Sequence, residues 1–190
     1  MTALCADTKL VPSWLVGERT ADDSWVFMED LKSRLAGRIQ LSTDGHQGYV
    51  APVGLTFKKD IDWAQIQKTY RSEPSGERRY SPQVCTGIKT RILKGNPDPS
   101  RISTSYVERQ NLTMRMGMRR FTRLTNAFSK KVENLAHAVS LHYMHYNFAR
   151  VHQPLTITDD EGRTTKRTPA MAAGATDHVW GLREIAELLD

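Results

Sequence analysis

Apolar and polar positions change period several times along the chain, and each change marks an expected element. TALCA and LVPSWLVG flank a turn at Asp7-Thr8-Lys9 and predict a β-hairpin, with Pro12 suggesting an edge or a bulge. From Asp22 to Leu35, Trp25, Met28, Leu31 and Leu35 recur at helical spacing, with Asp22 or Asp23 as N-cap and Gly37 just past the end. RIQLSTDG predicts a short strand, apolar at Ile39 and Leu41 and closing at Asp44-Gly45. Ile61, Ala64 and Ile66 return the stretch from Asp60 to Tyr70 to helical spacing. Arg71 to Pro82 is polar and predicts a loop; Val84 to Leu93 is rich in β-formers and predicts a strand, broken by GNPDPSR. Ser103 to Ser105 offer N-caps for a helix from about Tyr106. A longer helix, from about Ser129 to Arg150, carries one apolar stripe through Val132, Leu135, Ala136, Val139, Tyr143 and Tyr146. A polar loop from Thr156 to Lys166 and two short helical pieces close the chain. Strands alternating with helices predict an α/β fold.

Composition narrows the class. The 190 residues are 39% hydrophobic and 25% charged, which fits neither a membrane protein nor a disordered chain. MTALCADTKL lacks a basic stretch followed by an apolar one, and no apolar run approaches the ~18 residues of a membrane span. The expectation is a cytoplasmic protein without a membrane partner. Cys5 and Cys85 stand far apart without CxxC spacing, so neither a disulfide framework nor a cysteine zinc site is indicated.

Charge is informative through its placement. The segment from Arg101 to Lys131 holds eight cations against one acid, Glu108, and so exceeds the +6 of the whole chain. Arg101, Arg109, Arg115, Arg119, Arg120, Arg123, Lys130 and Lys131 are interleaved with Leu112, Met114, Met116, Met118, Phe121 and Leu124, as in a folded element. If the helix continues, ~100° per residue places Arg115 and Arg119 within about 20° of Glu108 and Arg123 about 60° away. A solvated basic face is the ordinary fate of such a run. The absence of compensating acids and the preference for arginine favour phosphate contact, and hence nucleic acid.

Two acids could carry chemistry. Asp44 sits at the expected carboxyl end of a strand, where α/β sheets bind ligands, although Asp-Gly is also a common turn pair. Glu108 is an isolated carboxylate among cations, suited to a hard metal ion, yet Ser105-x-x-Glu108 also matches a capping box. His137, His142 and His145 share a helix, but their spacing does not converge and no HExxH pattern is present, which disfavours zinc.

STDGHQGY, then SYVERQNLTMRM and RRFTRLTNAFSKK, then YNFARVHQPL and TPAMAAG together resemble the catalytic region of bacterial insertion-sequence transposases of the insertion-sequence-one type. The resemblance covers most of the chain and is most specific at ERQNLTMR. It implies a ribonuclease-H-like mixed sheet flanked by helices over residues 1–150, with a helical extension over 151–190 packed on it. It also implies Asp, Asp and Glu holding Mg²⁺ or Mn²⁺ for DNA cleavage and strand transfer. Asp44 in TDGH matches the second acid and Glu108 in YVERQN the third. Two carboxylates suit the task, because in-line phosphoryl transfer uses two ions roughly 3.5 to 4 Å apart. DNA contact is expected from Arg109, Arg115, Arg119, Arg120, Arg123, Lys130 and Lys131, and the DNA would comprise element ends and target, with the protein assembling as a homo-oligomer on it.

The first acid is where the sequence departs. ADTKLVPSWLVGERT resembles the family's second and third strands, and the DExWSF-like stretch that carries the first acid has no counterpart here. The chain is therefore expected to lack the first strand of the sheet, with Asp7 more in keeping with a turn than with a substitute ligand. Two functions remain open: a transposase-derived enzyme that acts, or once acted, in metal-dependent DNA strand transfer, or a non-catalytic fragment that binds DNA or a full-length partner and interferes with transposition.

Overall fold

The computed structural model describes residues 1–71, 84–122, 126–127 and 129–188. The expected loop at 71–82 falls almost wholly outside them. The chain forms two compact units, one of Met1–Glu18 with Tyr106–Asp190, the other of Arg19–Ser105. Residues 151–190 thus share a unit with residues 106–150 and with the N-terminal segment.

Strands β1 (Thr2–Ala3) and β2 (Ser13–Trp14) pair antiparallel as the expected hairpin, and Lys9 takes a left-handed φ of 61° at its turn. Within Arg19–Ser105, helix α1 (Ala21–Ser33) starts from a capping box in which Thr20 and Asp23 bond each other's backbone N–H at 3.1 Å. The N-cap is therefore Thr20 rather than Asp22 or Asp23. Ser24, Phe27, Met28 and Leu31 form its buried stripe.

Strand β3 (Ile39–Asp44) follows as expected, then helix α2 (Val50–Phe57), which sequence reasoning did not foresee. Pro52 sits in the first turn of α2, where its missing N–H costs nothing, and is buried with Val53 and Phe57. Lys58, at φ 48°, ends the helix. The stretch expected to be helical from Asp60 to Tyr70 is instead strand β4 (Ile61–Arg71). It pairs parallel with β3, from Ile39 opposite Ile61 to Asp44 opposite Ile66, and antiparallel with β5 (Val84–Lys94). The physical reason for the difference is its central place. Ile61 and the run Trp63 to Ile66 are buried, and a strand covered on both faces reads as an apolar run with no two-residue alternation. The result is a mixed three-stranded sheet in the order β3-β4-β5, and the protein is of mixed α/β class.

Past β5 the chain turns at Gly95, whose φ is +67° and where a Cβ would lie 2.1 Å from Asp62 Oδ1 and 2.9 Å from the Ile61 carbonyl. Asp62 holds this turn, accepting from the Asn96 N–H at 2.7 Å while paired with Arg38 at 2.6 Å.

The other unit resumes with helix α3 (Ser105–Gly117) and helix α4 (Val132–Met144), which runs on into a π-helical turn at His145–Ala149. A small hairpin of β6 (Ile157–Thr158) and β7 (Thr164–Thr165) and the short helices α5 (Pro169–Ala172) and α6 (Leu182–Glu187) complete it. Its core is Val11, Val139, Tyr143 and Tyr146, with Leu4, Trp14, Val16, Met114, Phe121 and Leu135 against them. Asn147 locks hairpin to helix: its buried amide accepts from the Val11 N–H at 3.0 Å and donates to the Val11 carbonyl at 2.9 Å. Trp180 stacks on Phe148 at 4.3 Å between ring centres, seating the C-terminal segment on the π turn. Among the described residues no helix is long and apolar enough to cross a membrane, and both cysteines are free.

Candidate functional site

Asp44 is the last residue of β3, at the carboxyl end of a strand with a parallel neighbour. Its carboxylate is more than half exposed and already has two partners. Oδ2 pairs with Arg19 Nη2 at 2.9 Å, and Oδ1 accepts the His46 N–H at 3.2 Å. The second bond is the side-chain turn that Asp-Gly sequences favour, so the turn role of Asp44 is realised. Arg19 also reaches the Tyr49 hydroxyl. Burial pushes the Tyr49 phenol above its ordinary value, the Asp44 charge adds to this, and Arg19 opposes it. His46 packs edge-on against Tyr49 at 5.0 Å, and Gly48 leaves it room: a Cβ there would lie 2.5 Å from His46 Nε2. Arg19 stands 25 residues before Asp44 in an unrelated pattern, so nothing in the sequence connects the two.

Glu108 occupies the first turn of α3 and is exposed. Ser105 is the first helical residue rather than the N-cap that the Ser105-x-x-Glu108 pattern predicts. Arg109 and Arg115 are exposed on the same helix, and the Arg115 side chain folds back onto the Asn111 carbonyl at 3.3 Å. The helix ends at Gly117 and Met118 is extended, so the arginine stripe does not continue past Arg115 on one helical face. Arg119 is exposed in a 3₁₀ turn, Arg119–Phe121. Arg120 turns inward, donating to Ser129 Oγ and, at 3.4 Å, to the Asn134 carbonyl, and thereby ties this turn to the start of α4. Lys130 and Lys131 are exposed just before α4, and Arg123 lies outside the described residues. Asp44 and Glu108 belong to different compact units.

The helix histidines do not gather. His137 and His145 are exposed, while His142 is half-buried and held below its ordinary value by desolvation, then by the charges of His145 and Arg150. Among the described residues no three His, Cys, Asp or Glu side chains form a group able to hold a metal ion. One Asp44 oxygen pairs with the Arg19 guanidinium and the other accepts the His46 N–H, so an ion held by Asp44 would compete with Arg19 for the carboxylate.

No protein-family model, curated protein or solved structure matches the chain.

Proposed function

We propose that this chain is a transposase-type protein of ribonuclease-H-like fold that engages DNA, with Mg²⁺- or Mn²⁺-dependent cleavage and strand transfer as the activity its resemblance implies. The observation that carries the reading is the element order. A hairpin, a helix, a strand ending in Asp44, a helix, a parallel strand, an antiparallel strand and a helix bearing Glu108 follow one another. Exposed Arg109, Arg115, Arg119, Lys130 and Lys131 support a polyanion partner, because each phosphate they neutralise releases condensed counterions.

The Arg19–Asp44 pair favours a second reading, a non-catalytic DNA-binding or partner-binding chain that interferes with a complete transposase. A strand-transfer assay on oligonucleotides bearing the ends of the element, with Mg²⁺ or Mn²⁺, separates the two. Transfer that disappears in Asp44→Asn and Glu108→Gln supports the enzyme. DNA binding that is unchanged in both variants, with no transfer in any protein, supports the binding chain. A protein that binds no DNA at low salt refutes the enzyme and the DNA-binding chain, and leaves only the chain that binds a partner protein.

A further inference from the structure

The β4–β5 ribbon stands out against the rest of its unit. Ile61 and Trp63 to Ile66 of β4 are buried, whereas from Gln67 on the strand is exposed apart from half-buried Lys68. Side chains alternate between faces along each strand, so register assigns them. Gln67 lies opposite Lys89 and Thr69 opposite Gly87, which puts Gln67, Thr69 and Lys89 on one face, continued by exposed Arg91 opposite buried Gln65, where β3 still flanks β4. Lys68 lies opposite Ile88, and the second face carries Tyr70, Ile88 and Ile92, which are 50%, 63% and 54% exposed. A two-stranded ribbon wetted on both sides is marginal by itself, so its length calls for a partner.

Charge identifies that partner. The described ribbon carries Lys68, Arg71, Lys89 and Arg91; at its base Lys94 donates to the Gly54 carbonyl at 3.2 Å, and its one acid, Asp62, is neutralised by Arg38. Cations that only protected an edge strand from pairing would not need the amide and hydroxyl groups of Gln67 and Thr69 beside them. A two-stranded ribbon also has the width to enter the ~12 Å major groove of a duplex.

We infer that the β4–β5 ribbon is a DNA-binding arm, applied to duplex DNA through the Gln67, Thr69, Lys89 and Arg91 face. This rests on the reading that DNA is the partner and adds a contact that neither Asp44 nor α3 supplies. The test is duplex binding by fluorescence anisotropy across 50 to 200 mM salt, in the full chain, for wild type, Lys89→Ala/Arg91→Ala, Lys89→Arg/Arg91→Lys and Arg109→Ala/Arg115→Ala. Loss of two phosphate contacts lowers the slope of log K against log salt by about 2 and weakens binding on the order of tenfold at low salt, while the charge-keeping variant retains both. Unchanged thermal unfolding in the alanine variant excludes misfolding as the cause. Wild-type affinity and slope in Lys89→Ala/Arg91→Ala, together with losses in Arg109→Ala/Arg115→Ala, overturn the arm and leave DNA as the partner. A flat salt response in wild type overturns both. A change in sedimentation from dimer to monomer in Lys89→Ala/Arg91→Ala, with DNA binding per protomer intact, assigns the ribbon to self-association and also overturns the arm.

Discussion

Asn147 gives the sharpest test of how the hairpin unit is held together. Its amide makes both backbone hydrogen bonds of Val11 across 136 residues of sequence, at 3.0 and 2.9 Å, in a site where Val11 is 1% and Asn147 4% exposed. Asn147→Ala removes the partner and leaves a buried N–H and a buried carbonyl without one. At ~1 to 3 kcal/mol for each stranded group, somewhat relieved if water enters, the expected loss is about 3 kcal/mol. Asn147→Asp refines the test. An ionised carboxylate still accepts from the Val11 N–H but faces the Val11 carbonyl oxygen with no proton, whereas the neutral acid can serve both groups. Burial and this contact raise the folded pKa of the new aspartate above its unfolded value of about 3.9. Relative to Asn147→Ala, Asn147→Asp therefore gains stability below about pH 4 and loses it as pH rises through the raised folded value. Urea unfolding from pH 3 to 7 gives the free energies. Hydrogen exchange assigns the damage, with faster exchange expected around Val11 and none of it around Ile61 to Ile66 in β4. A loss under about 1 kcal/mol for Asn147→Ala, or a pH-independent difference between the variants, would refute the reasoning.

Other outcomes follow from single contacts. Gly95→Ala combines a left-handed φ with a Cβ forced against the Ile61 carbonyl and Asp62, so a loss of more than about 2 kcal/mol is expected in thermal or urea unfolding. Asp62 is held down to about 2 by Arg38 first and by the Asn96 amide second. Its contribution is present above its ordinary 3.8 and fades as pH falls through about 2. Asp62→Asn should therefore flatten this part of the acid-unfolding curve, and an unchanged curve would contradict it. His178 places Nδ1 2.6 Å from Asp177 and Nε2 2.7 Å from Glu184, an arrangement that supplies a proton to each carboxylate only as the imidazolium. Glu184 first and Asp177 second raise its pKa above the ordinary 6.5, so the stabilisation is complete below 6.5 and lost as pH rises past the shifted value. An NMR titration midpoint at or below 6.5, or one unmoved by Glu184→Gln, would refute this pairing.

Elements whose signals were local could be read in advance. The hairpin was marked by its turn residues, α1 by Met28 and Leu31 on one stripe, and β3 by its Asp-Gly end. The cap of α1 was a Thr-x-x-Asp pattern starting two residues before Asp22, overshadowed by the two aspartates. Helix α2 was hidden because VAPVGLTF contains proline and glycine; packing of Pro52, Val53 and Phe57 outweighs its poor propensity. Strand β4 reads as a helix because the burial of Ile61 and Trp63 to Ile66 erases the alternation that distinguishes strand from helix. At the candidate site, the sequence placed Asp44 at a strand end and Glu108 at a helix start, yet Arg19 and Tyr49 come to Asp44 only through the tertiary fold. Arg120 illustrates the converse: its type matched the basic run, and its inward bond to Ser129 depended on a turn no local pattern encodes.

The threading of the chain also dictates an order of assembly on the ribosome. Arg19–Ser105 interrupts the unit that begins at Met1, so the hairpin emerges long before the residue that clasps it. With 136 residues between Val11 and Asn147, synthesis at ~5 to 20 residues per second leaves that hairpin waiting for roughly 7 to 27 seconds. Throughout that interval Val11 and Trp14 lack Tyr143 and Tyr146 to cover them, and the hairpin presents an apolar face that a chaperone could hold.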